Sequence, residues 1–149
     1  MGDRGLARAM LDDVVDACKA VAGDDVVIVD APGGQGEAIA AALASRRGPV
    51  TVVNSDVPCV HPDELVALTS AAPAIVPASD GTTNALSLRD AVEFVPLYGP
   101  GSAARFEDAL AARRLELGGL EDDVDTWDDL ERVRSRVGPH TRAYLRVRG

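Results

Sequence analysis

VTVVNSDVPCVHPDEL, residues 50–65, decides the fold. Val50 to Val53 is a short apolar run introduced by Gly48-Pro49 and rich in β-branched residues, and it reads as a strand. It gives way to Asn54-Ser55-Asp56, and Pro58 stiffens the exit. Pro62, Asp63 and Glu64 suit the first turn of a helix that runs to about Ala71. Proline there forfeits only an N–H that has no helical partner, and acids favour the positive end of the helix dipole. Strand, polar loop and helix in succession form the repeating unit of an α/β protein.

The same alternation extends to both sides. Upstream, Leu6, Ala7, Met10, Leu11, Val14, Val15, Cys18 and Val21 recur at helical spacing and Gly23 closes the pattern, which predicts a helix over residues 5–22. Val26-Val27-Ile28-Val29 predicts a strand, and Gly33 to Gly36 a turn into an Ala-rich helix. Downstream, Ala74 to Pro77 reads as a strand and Ser79 to Asn84 as a polar loop. Ala85 to Leu88 reads as a short strand, Arg89 to Glu93 as a helical turn and Phe94 to Tyr98 as another strand. Ser102 closes the turn Gly99-Pro100-Gly101-Ser102 and is placed to cap a helix from Ala103 to about Arg113. Leu115, Leu117 and Leu120 are compatible with a last strand, and Thr126 caps a helix through Val137. The expectation is a three-layer α/β sandwich with a mainly parallel sheet. Residues 1–149 form a single domain with a basic tail from about residue 138, without internal repeat or linker.

Composition narrows the function. Apolar residues make up 46% and charged residues 26% of the 149, which excludes collagen-like and disordered chains. No apolar run approaches the roughly 18 residues that span a bilayer. Asp3, Arg4 and Arg8 stand where a secretory signal would be apolar, so the expected location is the cytoplasm. Cys18 and Cys59 form no CxxC pair, which argues against a structural zinc site or a disulfide framework. Net charge is −9; residues 132–149 carry six Arg and no acid, leaving −15 on residues 1–131. So acidic a body repels nucleic acid, and handling small anions would require a metal. The Arg-rich end is read as lying over acidic neighbours or in solvent rather than on RNA or a membrane.

In an open α/β sheet ligands bind beyond the carboxyl ends of strands. Asp56 lies there, where a carboxylate either holds Mg²⁺ or caps a turn. In Glu121-Asp122-Asp123-Val124-Asp125-Thr126, strand alternation would put Asp123 and Asp125 on one face. Paired carboxylates often share a cation, although Asp128, Asp129 and Glu131 show a generally acidic helix start. Gly81-Thr82-Thr83-Asn84 and Gly99-Pro100-Gly101-Ser102 offer hydroxyls and N–H groups to an anion, as ordinary turns also do. Gly34, Gln35 and Gly36 are candidate nucleotide contacts, the glycines through N–H donors and Gln35 through the base, although the turn matches neither GxGxxG nor a P-loop. His61 and His140 have no Ser or Cys motif around them, Cys59 reads as a small buried apolar residue, and Trp127 as core.

Taken in order, VTVVNSDVPCVHPDEL, AIVPASDGTTNALSL, FVPLYGPGSAARF and DDVDTWDDL resemble the guanylyltransferases of coenzyme F420 biosynthesis, which attach GMP to 2-phospholactate or phosphoenolpyruvate. LARAMLDDVVDA and GGQGEAIAAALA resemble the helix and Gly-rich loop that precede these blocks in that family. The resemblance implies a Rossmann-like nucleotidyltransferase fold. It implies Mg²⁺ bound by Asp56, Asp123 and Asp125 as the catalytic acids, and a phosphorylated acid held by Thr83, Asn84, Gly99, Gly101 and Ser102. GTP would be the donor, and pairing of the chain with itself is left open. Family members begin with a strand and a basic, nucleotide-binding loop that the present sequence is expected to lack. Two other readings stand beside this one: a protein that has lost the nucleotide loop and keeps the phosphoacid pocket without catalysis, and, because the fold is shared, a cytidylyl- or molybdopterin-type transferase with a different base.

Overall fold

Residues 1–30 and 34–148 are described by a computed structural model; Gly33, expected in the Gly-rich turn, lies outside them. Four strands form one sheet: β1 (Val50–Val53), β2 (Ala74–Pro77), β3 (Thr83–Leu88) and β4 (Arg113–Arg114), in the order β1-β3-β2-β4. β3 pairs antiparallel with both β1 and β2, and β2 pairs parallel with β4. The class is α/β as expected, but the sheet is mixed, with β3 running against the other three strands. The cause lies in the connection. Only residues 78–82 join β2 to β3, folded by Ala78 N to Thr82 O and Gly81 N to Ala78 O at 2.8 and 3.1 Å. So short a link permits only antiparallel pairing, since a parallel crossover needs a dozen residues or more.

The helices are α1 (Arg4–Ala22), α2 (Gln35–Leu43), α3 (Pro62–Ser70), α4 (Ser102–Leu110), α5 (Gly118–Glu121), α6 (Trp127–Val133) and α7 (Pro139–Arg148). They cover both faces of the sheet. The period of two along β2 and β3 sends Ala74, Val76 and Ala85 toward Val14 and Ala17 of α1 and Leu65 and Leu68 of α3. Ile75, Leu86 and Leu88 face the other way, onto Ala103 and Phe106 of α4. Ile39 and Leu43 of α2 join that second layer beside Val50 and Val52. All six residues of β3 are buried, whereas β1 is half-buried and, among the described residues, pairs on one side only.

Four expectations are corrected. Val26 to Val29 forms no strand, and Val27 and Ile28 are 60% and 56% exposed. β-branched composition makes a strand only where a neighbour supplies the ladder, and none does so among the described residues. Phe94 to Tyr98 is irregular. Pro96 interrupts it, and Phe94 and Tyr98 turn onto Phe106, with ring centroids 6.4 and 5.1 Å away. Leu115 adds one bond to the β2 edge, Leu115 N to Ile75 O at 2.9 Å, before Gly118 starts α5 and carries Leu120 into the core. Finally, α6 ends at Val133 rather than Val137, and the basic tail is itself the helix α7.

Of the six Arg in residues 132–149, Arg132, Arg134 and Arg136, which precede α7, pair with Asp129, Glu131 and Asp122, and Arg148 of α7 pairs with Asp3, so the Arg-rich end lies over acids as expected. Asp13 of α1, 5% exposed, anchors the start of α7 by accepting from His140 N and Thr141 N at 2.9 and 3.0 Å. A Cβ at Gly138 would collide with that carboxyl group, so the helix start approaches α1 this closely only through a glycine.

Candidate metal and substrate site

β1 extends one residue past its end: Asn54 N donates to Asn84 O at 2.9 Å, and the chain then turns to deliver Asp56. The segment after α5 arrives from the opposite side and is held by Val124 N donating to Asp56 O at 2.9 Å. Val124 is buried, so its neighbours Asp123 and Asp125 face Asp56. One oxygen from each of the three carboxylates lies within 4.8 Å of the other two. The acids that the sequence suggested are therefore brought together.

The electrostatics are those of carboxylates that repel one another. Burial, reinforced by the charges of Asp123 and Asp125, pushes Asp56 up to about 6. Asp125 is also raised, by burial first and then by Asp123. Asp56 Oδ1 is buried without a hydrogen-bond partner, an arrangement that costs stability unless something fills it. Three carboxylates with an unused buried oxygen fit a hard divalent ion such as Mg²⁺ or Mn²⁺, which takes oxygen ligands. Just beyond, Asp129 accepts from Asp125 N and Thr126 N, each at 3.0 Å, and the bond from Asp125 N, followed by that from Arg132 and then Thr126, lowers its carboxyl to about 2. A cleft of about 250 Å³ opens beside Ser55, Asp56 and Asp125, with Asp3 and Met10 on its other wall.

The two polar loops expected to hold a phosphorylated acid are adjacent to each other, and the hydroxyls of Thr83 and Ser102 are turned inward. Thr83 and Ser102, 2% and 0% exposed, bond to each other through their hydroxyls at 2.8 Å. Ser102 therefore does not cap its helix; Gly101, at φ +73°, occupies that position. Ala103 N donates to Gly81 O at 3.1 Å, which joins the two loops directly. Gly99 accepts from Ser102 N at 3.0 Å. Arg105 fixes the turn by donating to Pro100 O and Leu97 O at 2.7 and 3.0 Å. What the Gly99–Ser102 turn offers a ligand is therefore main chain rather than hydroxyls. Asn84 is also turned inward, toward α5 and Asp123.

The Gly-rich turn connects to the same place. Gln35 Nε2 donates to Asn54 Oδ1 at 2.7 Å, and Asn54 Nδ2 to Thr83 O at 2.9 Å. Gly34, at φ +124°, is the exposed cap of α2. Gly36 seats that helix on Pro96, where a Cβ would come within 3.0 Å. Asn54, Arg105 and Asp129 were not singled out as candidates; for Asn54 the signal available was its position directly after a strand. Trp127 is 43% exposed under the Arg148 guanidinium, 5.7 Å from the ring centroid, not in the core. Cys59 is half-buried and its thiol is raised to about 11, chiefly by burial, which disfavours the nucleophilic thiolate.

The molecule is thus an α/β protein whose strand-end loops converge on a cluster of three acids. The phosphoenolpyruvate guanylyltransferase of Nocardia farcinica is 42% identical over 121 residues, covering 73% of this chain and 52% of the relative. That of Geodermatophilus obscurus is 38% identical over 110 residues, covering 70% and 51%. The 2-phospho-L-lactate guanylyltransferase of Halobacterium salinarum is 30% identical over 161 aligned positions, covering 95% of this chain and 77% of the relative. The chain belongs to this family of phosphoenolpyruvate and 2-phospho-L-lactate guanylyltransferases. It spans about half the length of the first two relatives. No family model matches it. No helix among the described residues is long and apolar enough to cross a membrane.

Proposed function

We propose that this chain serves guanylyl transfer from GTP to phosphoenolpyruvate or 2-phospholactate, in coenzyme F420 assembly in the cytoplasm, and that Asp56, Asp123 and Asp125 hold Mg²⁺. The observation that carries this reading is the convergence of the three carboxylates, with a buried Asp56 oxygen left unpartnered. The family supplies the reaction type. We read the mixed sheet as part of a Rossmann-like nucleotidyltransferase fold.

In the reaction, a phosphate oxygen of the acceptor forms a bond to the α-phosphorus of GTP. The bond to the bridging oxygen breaks, and pyrophosphate leaves with the electron pair. Donor and acceptor are both anions, so an acidic site can hold them together only when its own charge is neutralised. Bound Mg²⁺ supplies that neutralisation and stabilises charge on the phosphoryl group. The chain's own contribution is placement. The loops at Gly81 and Gly99–Ser102 are fixed against each other by Ala103 N donating to Gly81 O, and the Gln35–Asn54 bond ties the start of α2 to the loop that carries Asp56. Incubation with Mg²⁺, each nucleoside triphosphate and either phosphoacid, followed by mass spectrometry, tests this. A guanylylated acid is the expected product; a product with another base, or binding without turnover, would replace the reading with one of its alternatives.

A further inference from the structure

Asn84 stands at the point where the two acid-bearing loops meet β3. Its main-chain carbonyl accepts from Asn54 N at 2.9 Å, in the loop that carries Asp56. Its side-chain amide nitrogen lies 2.9 Å from Leu120 O, 3.3 Å from Glu121 O and 3.2 Å from Asp123 Oδ1. The residue is 2% exposed and lies on the fully buried central strand. One residue is therefore bonded through its backbone to one loop and through its side chain to the other.

We propose that Asn84 is a positioning residue, which fixes Asp123 against Asp56 through these bonds and so prepares the cation site; this rests on the metal reading given above. Leu120 and Glu121 end the short helix α5, whose last carbonyls have no helical partners and need donors. The segment from 122 to 125 is irregular, and its backbone is tied by Val124 N to Asp56 O and by Asp123 N to Glu121 O at 3.3 Å. Neither bond sets the direction of the Asp123 carboxylate. Asp56 and Asp125 repel it, so without a donor behind it the group would swing outward, and a cation would have to gather it again at an entropic cost. Only a side chain with N–H donors meets both demands, the helix carbonyls and the carboxylate. That excludes an isosteric Asp or Leu at this position.

The test is Mn²⁺ titration by calorimetry on the whole chain, alongside thermal melting without metal. Wild type, Asn84→Ala, Asn84→Ser and Ser87→Ala are compared. Ser87 is buried on the same strand and donates to Leu68 O at 2.7 Å, away from the acids. Its truncation therefore reports the effect of weakening β3 alone. Saturable binding is expected for wild type and Ser87→Ala with equal affinity, and a loss of about 10–100-fold for Asn84→Ala, the size typical when a partner of a metal ligand is removed. Asn84→Ser keeps one donor for the carbonyls of α5 and provides a folded sample should the alanine variant not fold; it is expected to weaken Mn²⁺ as well. Affinity within about twofold of wild type in either Asn84 variant, or an equal loss in Ser87→Ala, overturns the proposal while the metal site stands. Absence of saturable binding by wild type removes the metal site and this proposal together.

Discussion

Thr83 and Ser102 lie 19 positions apart and meet through hydroxyl oxygens 2.8 Å from each other, sealed from solvent at the junction of β3 and α4. The pair joins the central strand to the Gly99–Ser102 turn. Ser102→Ala leaves the Thr83 hydroxyl buried without a partner and is expected to cost about 1–3 kcal/mol in urea denaturation. Adding Thr83→Val should recover part of that loss, because two apolar groups leave nothing unsatisfied. A double variant less stable than Ser102→Ala would show that the hydroxyls do more than satisfy each other.

Stability without metal should fall as pH rises from about 4 to about 6. Asp56 titrates near 6 when folded, against an ordinary value of 3.8. Between those values the folded chain retains a proton that the unfolded chain releases, so rising pH favours unfolding, by about 2–3 kcal/mol once Asp56 is fully ionised. Asp56→Asn should flatten this slope and melt at a higher temperature than wild type at pH 7. Melting curves collected across that range at low protein concentration check it; an unchanged slope in the variant would assign the proton elsewhere.

A cation should relieve the same repulsion. Phosphoenolpyruvate is expected to raise the melting temperature with Mg²⁺ present and to leave it unchanged without, since only a ligand that binds the folded state shifts the equilibrium. Asp125→Ala should abolish the shift by removing an oxygen ligand. Thermal-shift measurements on both proteins, with EDTA as the control, decide this. A metal-independent shift would place the acceptor on the loops alone.

The α1–α7 contact gives two further expectations. Asp13→Ala removes a carboxylate that accepts two N–H bonds at the start of α7, and about 2 kcal/mol of stability should go with it. His140 also bonds Asp16 at 2.6 Å, and this hydrogen bond raises the imidazole's proton affinity. The pair therefore adds stability fully below the ordinary histidine value and loses it as pH rises through the raised one. Asp16→Asn should remove that dependence above pH 6.5, read by chemical denaturation.

Where sequence and structure agree, the residues themselves carry the information. Gly48-Pro49, the run Val50 to Val53 and the Pro62-Asp63-Glu64 helix start are local signals, whereas grouping Asp56 with Asp123 and Asp125 came from the family resemblance of the blocks that carry them, since the segment 122–125 is irregular rather than an alternating strand. Non-local matters were not legible. Whether Val26 to Val29 becomes a strand depends on a neighbour; the antiparallel course of β3, by contrast, is dictated by the five-residue link after Pro77 and was legible, though the expectation of a mainly parallel sheet overlooked it. Ser102 has the chemistry of a cap, yet Thr83 offers its hydroxyl a buried partner, a competition that no local pattern reveals. The bonds of the Asn84 side chain to residues 36 to 39 positions away were likewise not readable from local pattern.

The side of β1 that no strand covers among the described residues and the exposed Val27-Ile28 run bear on how the protein behaves in bulk solution. Unpaired backbone groups on an outer strand and a β-branched apolar segment are both templates for intermolecular pairing. At neutral pH a net charge of −9 keeps copies apart, but that repulsion vanishes near pH 4.6, where the templates remain. Colloidal stability should therefore fail by strand-mediated association around that pH, and a lysine in place of Ile28 should protect against it without touching the acid cluster.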